Sequence, residues 1–77
     1  MRPADVLRPA LEDAASGIVL VHNHPSGDPT PSLADIEMTR ALLEACELLG
    51  LYFLDHVIVA RSGAESLREL ELLDEAL

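Results

Sequence analysis

Two histidines stand two residues apart, His22 and His24, where the apolar run IVLVH at residues 18–22 gives way to a polar segment. Side chains two apart on an extended strand point to the same side, so the pair can present two imidazoles to one ion. That is a pincer suited to zinc. The competing structural reading packs one histidine in a core and leaves the other in a solvated loop. Ser32 and Asp35 bear on the choice. Serine followed three residues later by an acid is the usual capping-box pattern, and in isolation that reading wins. Thr30 followed by Pro31, however, already supplies a helix start. A helix begun there sets Ser32 and Asp35 one turn apart on one face, free to point back at the strand end. Two imidazoles and a carboxylate make three protein ligands, and tetrahedral zinc then keeps a fourth position for water, the arrangement of a catalytic site.

The elements that must position these residues follow from pattern. Residues 3–14 carry Val6, Leu7, Ala10, Leu11 and Ala14 at helical spacing, with Pro3 suited to the first turn and Pro9 expected to kink or divide the helix. Gly17 punctuates. Residues 18–22 are continuously apolar and rich in β-branched types, the mark of a strand covered on both faces. Residues 24–32, HPSGDPTPS, form a loop. A long helix is expected over residues 31–49, with Thr30 as N-cap and Gly50 as its stop. Residues 52–60, YFLDHVIVA, read as a second buried strand interrupted by Asp55 and His56. The order helix, strand, helix, strand implies a crossover between parallel strands in an α/β domain. After a turn at Ser62 and Gly63, the stretch AESLRELELLDEAL places Leu67, Leu70 and Leu73 three apart and reads best as a helix.

Seventy-seven residues make one domain, 1–77. A chain this short buries only about 60% of the surface its unfolded form exposes, so a metal or a partner chain would help it fold. Acidic side chains outnumber basic ones 14 to 5, giving a formal charge of -9, and there is no lysine. Phosphate binding needs a basic stripe, and one tyrosine and one phenylalanine offer little for bases to stack on; the composition argues against nucleic acid. The single cysteine, Cys46, falls in the long helix and reads as a core residue. No segment reaches membrane-spanning length and no apolar leader opens the chain, so the expected location is cytoplasmic.

The run H-N-H-P, then six residues, then S-L-A-D resembles the motif of the JAMM (MPN-plus) zinc metallopeptidases. The similarity continues from VLRPALEDAASGIVLVHNHP through to DHVIV, as in the RadC-like branch of that family, and covers the chain to about Ser62. The resemblance implies a cytidine-deaminase-like JAB/MPN fold, here a helix-strand-helix-strand core with a small mixed sheet. It carries over His22, His24 and Asp35 as zinc ligands and Ser32 as the hydroxyl that stabilises the oxyanion of a tetrahedral intermediate. The substrate it implies is a peptide or isopeptide, attacked by zinc-activated water. The branch bears a name from DNA repair, but the acidity of this chain favours the peptidase chemistry.

Two departures from the family pattern matter. Its general-base glutamate lies on a strand well before the H-x-H motif, and the chain is expected to begin after that strand; Asp5 and Glu12 belong to the first helix and are not assigned the role. Residues 64–77 diverge from the family's closing strand. His56, beside Asp55, is expected to be buried and hydrogen-bonded, though either could also orient a zinc ligand from behind. Two functions follow: a zinc-dependent peptidase or isopeptidase domain lacking its base, or a non-catalytic zinc-binding or self-associating module. A sheet without two of its strands leaves an open edge and uncovered apolar faces, so a homo-oligomer is expected.

Overall fold

In the computed structural model, which describes residues 2–73, the elements run α1 (Pro3–Glu12), β1 (Gly17–Asn23), α2 (Leu33–Leu49), β2 (Tyr52–Ala60) and β3 (Gly63–Ser66). The sheet order is β1-β2-β3, with β1 parallel to β2 and β2 antiparallel to β3. The expected helix-strand-helix-strand core is present, and the third strand makes the small sheet mixed. Among the described residues no helix is long and apolar enough to cross a membrane.

Sequence period decides which side chains meet. On β1 and β2 the core-facing row reads Ile18, Leu20, His22 against Phe53, His56, Ile58, paired one to one in the register. Leu54 is extra on β2, because the register shifts between Ile18 and Val19; the resulting bulge moves His56 onto the core face. On α2 the buried residues are Asp35, Thr39, Leu42 and Cys46, spaced four, three and four apart, one stripe of the helix. Polar residues gather toward one side of the core: Asp35 and Thr39 on α2, His22 on β1, and His56 on β2, with the apolar Ile58 beyond it. Leu42, Cys46, Ile18 and Phe53 fill the other side, and Leu7 of α1 and Leu67 join them in the core. Cys46 is buried as expected, and burial pushes its thiol pKa up.

Four expectations need correction. Pro9 does not divide α1, which is continuous from Pro3 to Glu12; the proline removes one donor from a helix whose Val6, Leu7 and Ala10 are held by packing. The strands are not covered on both faces: Val19 and Val21 are 51% and 65% exposed, and Tyr52, Leu54 and Val59 are exposed beside them. Alternation places these residues opposite the core row, on a face that no described helix covers. Thr30 is not the N-cap of α2, as the site geometry below explains. Finally, residues 63–66 form a strand, with turns following at 67–71, rather than the start of a helix; residues 74–77 of that expected helix lie outside the described residues.

Asp55 is the reason for the last change. Its Oδ1 accepts from the backbone N–H groups of His56 at 2.7 Å and Arg68 at 3.0 Å, and its Oδ2 accepts a short hydrogen bond from the Ser66 hydroxyl. Leu67 N–H donates to the His56 carbonyl at 2.9 Å, continuing the ladder beyond Ser66. A leucine spacing of three favours a helix, but a carboxylate that collects Ser66 and Arg68 onto β2 holds the segment extended, and Leu67 is then buried completely. At the other end of the crossover, Gly50 closes α2 with φ 74°, a left-handed conformation that disfavours any residue bearing a Cβ. Replacing Asp55 with alanine strands three donors, so Asp55→Ala is expected to cost about 2 kcal/mol in urea unfolding. A loss under about 0.5 kcal/mol, the usual range for an inert surface change, would show that β3 docks without it.

Candidate metal centre

The site is built where β1 ends and α2 begins. Ser32, not Thr30, is the N-cap of α2: its Oγ accepts from Asp35 N–H at 3.1 Å, and its own N–H donates to Asp35 Oδ2 at 2.8 Å. Thr30 is used earlier. Its N–H and hydroxyl both donate to Asp28 Oδ1, at 3.0 and 2.7 Å, in a turn that shapes the loop. Those two bonds, the backbone one first, hold the Asp28 pKa below the usual carboxylate range. Ser32 and Asp35 therefore form the capping box that a helix start at Thr30 had seemed to make redundant.

The box and the site are not alternatives, because Asp35 serves both. Its Oδ1 lies 3.1 Å from His22 Nδ1 and its Oδ2 lies 2.9 Å from His24 Nε2. The His22 and His24 rings meet edge to face with centroids 5.0 Å apart. The structure thus brings together His22, His24, Ser32 and Asp35, all four residues singled out by spacing. It adds one that spacing did not select. His56, fully buried, stacks on His22 with centroids 5.7 Å apart, and one ligand atom each from His22, Asp35 and His56 lie within 4.8 Å of one another. The signal for His56 was present in the sequence as a polar residue inside an apolar strand, but its face could not be read without the bulge.

Burial works to raise the Asp35 pKa. The two Ser32 hydrogen bonds and the charges of His24 and His22 outweigh it, and the carboxyl sits below its ordinary range. The N-terminal turn of α2 favours the anion as well. His56 moves downward: burial lowers its pKa, Asp35 and Asp55 oppose that, and His22 and His24 add to it.

Hydrogen-bond bookkeeping tests whether these groups suit a metal. His24 Nδ1 is 3.0 Å from the Asp28 carbonyl, which can only accept, so Nδ1 carries the proton. In the neutral ring Nε2 is then a lone pair aimed at a carboxylate oxygen. His22 Nδ1 is buried and makes no hydrogen bond despite its 3.1 Å separation from Asp35, and His56 Nε2 is likewise without a partner. A lone pair on either His22 Nδ1 or His24 Nε2 would face a carboxylate oxygen, and a cation held between the three groups would satisfy all of them. Atoms bound to one tetrahedral zinc lie about 3.4 Å apart, so separations of 2.9 and 3.1 Å need to open by only a few tenths of an ångström. The donor set fits a metal ion. Asp35 lines a cavity of about 170 Å³ with His22, Ala34, Met38 and His56, and a second cavity of about 310 Å³ is lined by His24, Pro25, Ser26, Asp28, Thr30 and Ser32.

The RadC-like JAB domain profile matches residues 1–72. The chain belongs to the RadC-like JAB family. It is also similar to the UPF0758 protein TTE0897 of Caldanaerobacter subterraneus subsp. tengcongensis, 52% identical over 69 residues, which is 90% of this chain and 30% of that protein. The RadC-like chain thus spans about a third of the length of the curated relative it matches.

The depressed His56 pKa has a consequence for stability. With the folded value below the ordinary 6.5, the unfolded chain binds the proton more tightly. The contribution is therefore complete above that value and is lost as pH falls through the folded one. Chelator-treated protein is expected to lose urea resistance as the pH falls below the ordinary histidine value of 6.5, and His56→Phe should lose less over the same interval. An equal loss in the variant would assign the effect to other groups.

Proposed function

We propose that this domain supplies the metal-holding part of a zinc-dependent hydrolase acting on peptide or isopeptide bonds. The observation that carries the reading is the single carboxylate of Asp35 placed between His22 and His24 at 3.1 and 2.9 Å, with His22 Nδ1 buried and without a hydrogen bond. His22, His24 and Asp35 would hold the ion. Bound there, zinc would lower the pKa of a water and polarise a carbonyl. The residues of the chain do the rest. Asp28, through its carbonyl, fixes the His24 tautomer; Ser32 locks the Asp35 rotamer through two hydrogen bonds. Ser32 Oγ accepts from Asp35 N–H, which leaves its own proton to donate into the cavity it lines with His24. A hydroxyl donor beside the ion would stabilise an oxyanion.

What the described residues do not provide is a base. Neither the cavity lined by Asp35 and His22 nor the one lined by His24 and Ser32 has a glutamate in its wall. Asp5 accepts from Arg2 N–H at 2.8 Å at the start of α1, and Asp55 is engaged with β3. General-base assistance is typically worth about 10²- to 10⁴-fold, so hydrolysis by the 77-residue chain alone should stay near background. The same site within a longer protein, of the length of the relative, should turn over. The bare apolar face of Val19, Val21, Tyr52, Leu54 and Val59 belongs to the same reading: we propose that it is covered by self-association.

The metal comes first in the test. The chain is expected to bind one zinc ion, with His22→Ala, His24→Ala and Asp35→Asn each lowering affinity and Ser32→Ala leaving it nearly unchanged. Unchanged affinity in both histidine variants would refute the assignment. Strong hydrolysis by the isolated chain, lost in Asp35→Asn, would show that a residue considered structural acts as the base. Sedimentation of a stable monomer at micromolar concentration would overturn the self-association.

A further inference from the structure

Thr39 and His56 form a polar pair with no exposure at all, and the three-ligand site described above does not use it. Thr39 Oγ1 is 2.9 Å from the carbonyl oxygen of Asp35 and 2.8 Å from His56 Nδ1. The hydroxyl has one proton to give. A carbonyl only accepts, so that proton goes to Asp35, and the second contact must be Nδ1–H of His56 donating to the Thr39 oxygen. The chain of donors fixes the tautomer. His56 Nε2 is left as a lone pair, buried and without a partner. Its neighbours are the His22 ring, stacked at 23° with centroids 5.7 Å apart, and the Asp35 carboxylate. A buried histidine with only a structural role has both ring nitrogens satisfied. Here the second nitrogen has no partner, beside a cavity of about 170 Å³ whose remaining walls are Ala34 and Met38.

We propose that His56 is a further metal ligand, binding through Nε2 the same ion that His22, His24 and Asp35 hold, with Thr39 as the positioning residue that sets its tautomer. The inference rests on the reading of the cluster as a metal site. Ligating histidines characteristically donate their other ring N–H to an oxygen, as His56 does to Thr39 and His24 does to the Asp28 carbonyl. Three imidazoles and a carboxylate fill the four positions of tetrahedral zinc, one more protein donor than an open catalytic site uses. Water then gains access only by a fifth position or by the departure of one imidazole, so the chain on its own holds metal more firmly than it exposes it.

X-ray absorption on the zinc-loaded chain counts the imidazoles directly and needs no variant: three are expected, and two would overturn the proposal. Chelator competition gives a second readout. His56→Phe, checked for folding by circular dichroism, should bind zinc at least about 10- to 100-fold more weakly, and Thr39→Val about 10-fold more weakly with the imidazole count still three. Two imidazoles in the wild-type chain, with affinity unchanged in both variants, would sink the His56 assignment while leaving the metal site standing. Failure of the wild-type chain to take up zinc at all would sink the metal reading itself.

Discussion

The Asp35 carboxylate ties together the helix start, the loop and the strand end. It occupies the third position of α2, where Ser32 N–H holds one oxygen at 2.8 Å, and from there it reaches both histidines of the H-x-H pair. The orientation that completes the capping box is therefore the orientation that completes the cluster. A carboxylate in the first turn of a helix is favoured by the unpaired N–H groups there, so the anion is held in place whether or not an ion is bound. The loop is arranged to the same end. Asp28 turns back on Thr30 and offers its carbonyl to His24, and Gly27, at φ 90°, gives its carbonyl to Ser62 N–H at 3.1 Å, which ties the loop to the β2–β3 turn.

Behind the cluster, the buried rows of α2 and β1 change from apolar to polar toward the site, while on β2 His56 stands between Phe53 and Ile58. Leu42 and Cys46 are followed toward the N-terminus of α2 by Thr39 and Asp35; Ile18 and Leu20 are followed by His22; Phe53 is followed, across the bulge, by His56. Thr39 links two of these rows by bonding the Asp35 carbonyl and the His56 ring. Asp55 anchors the backbone of His56 from the other side while fastening Ser66 and Arg68 to β2. The sheet edge and the site thus share a support, and a change in β3 docking reaches the cluster through one residue.

Much of this was legible in the residue order. The H-x-H pair at the end of an apolar run, the helix ending at Gly50 and the parallel pairing across it all follow from local pattern, and the family resemblance agrees with them. The N-cap did not, because Thr30-Pro31 and Ser32-Asp35 are both good starts; the choice fell to Asp28, which claimed Thr30 for a turn. The exposed row of Val19, Val21 and Val59 was unreadable for a different reason. A continuous apolar strand reports what its faces could bury, and only tertiary structure says which face has a helix on it. Residues 63–66 became a strand because a carboxylate eleven positions before Ser66 outcompeted helical leucine spacing, a non-local effect. His56 was seen as polar and buried, but its facing depended on a one-residue bulge that no periodicity announces.

The energetics of the cluster connect the metal to the fold. A buried polar atom left without a partner costs about 1–3 kcal/mol. His22 Nδ1 and His56 Nε2 are two such atoms, and His24 Nε2 faces a carboxylate oxygen across 2.9 Å. A small domain has a total stability on the order of 5–15 kcal/mol, so in the metal-free chain this corner subtracts a substantial share of it. A proton can relieve one such contact by charging a single imidazole. It does not relieve the others, since each added positive ring repels its stacked or edge-on neighbour at 5.0 to 5.7 Å. One divalent ion held there would satisfy the facing nitrogens together with the carboxylate. Metal affinity and folding free energy would then be two measures of the same set of contacts, because the polar residues of α2, β1 and β2 would share one cation.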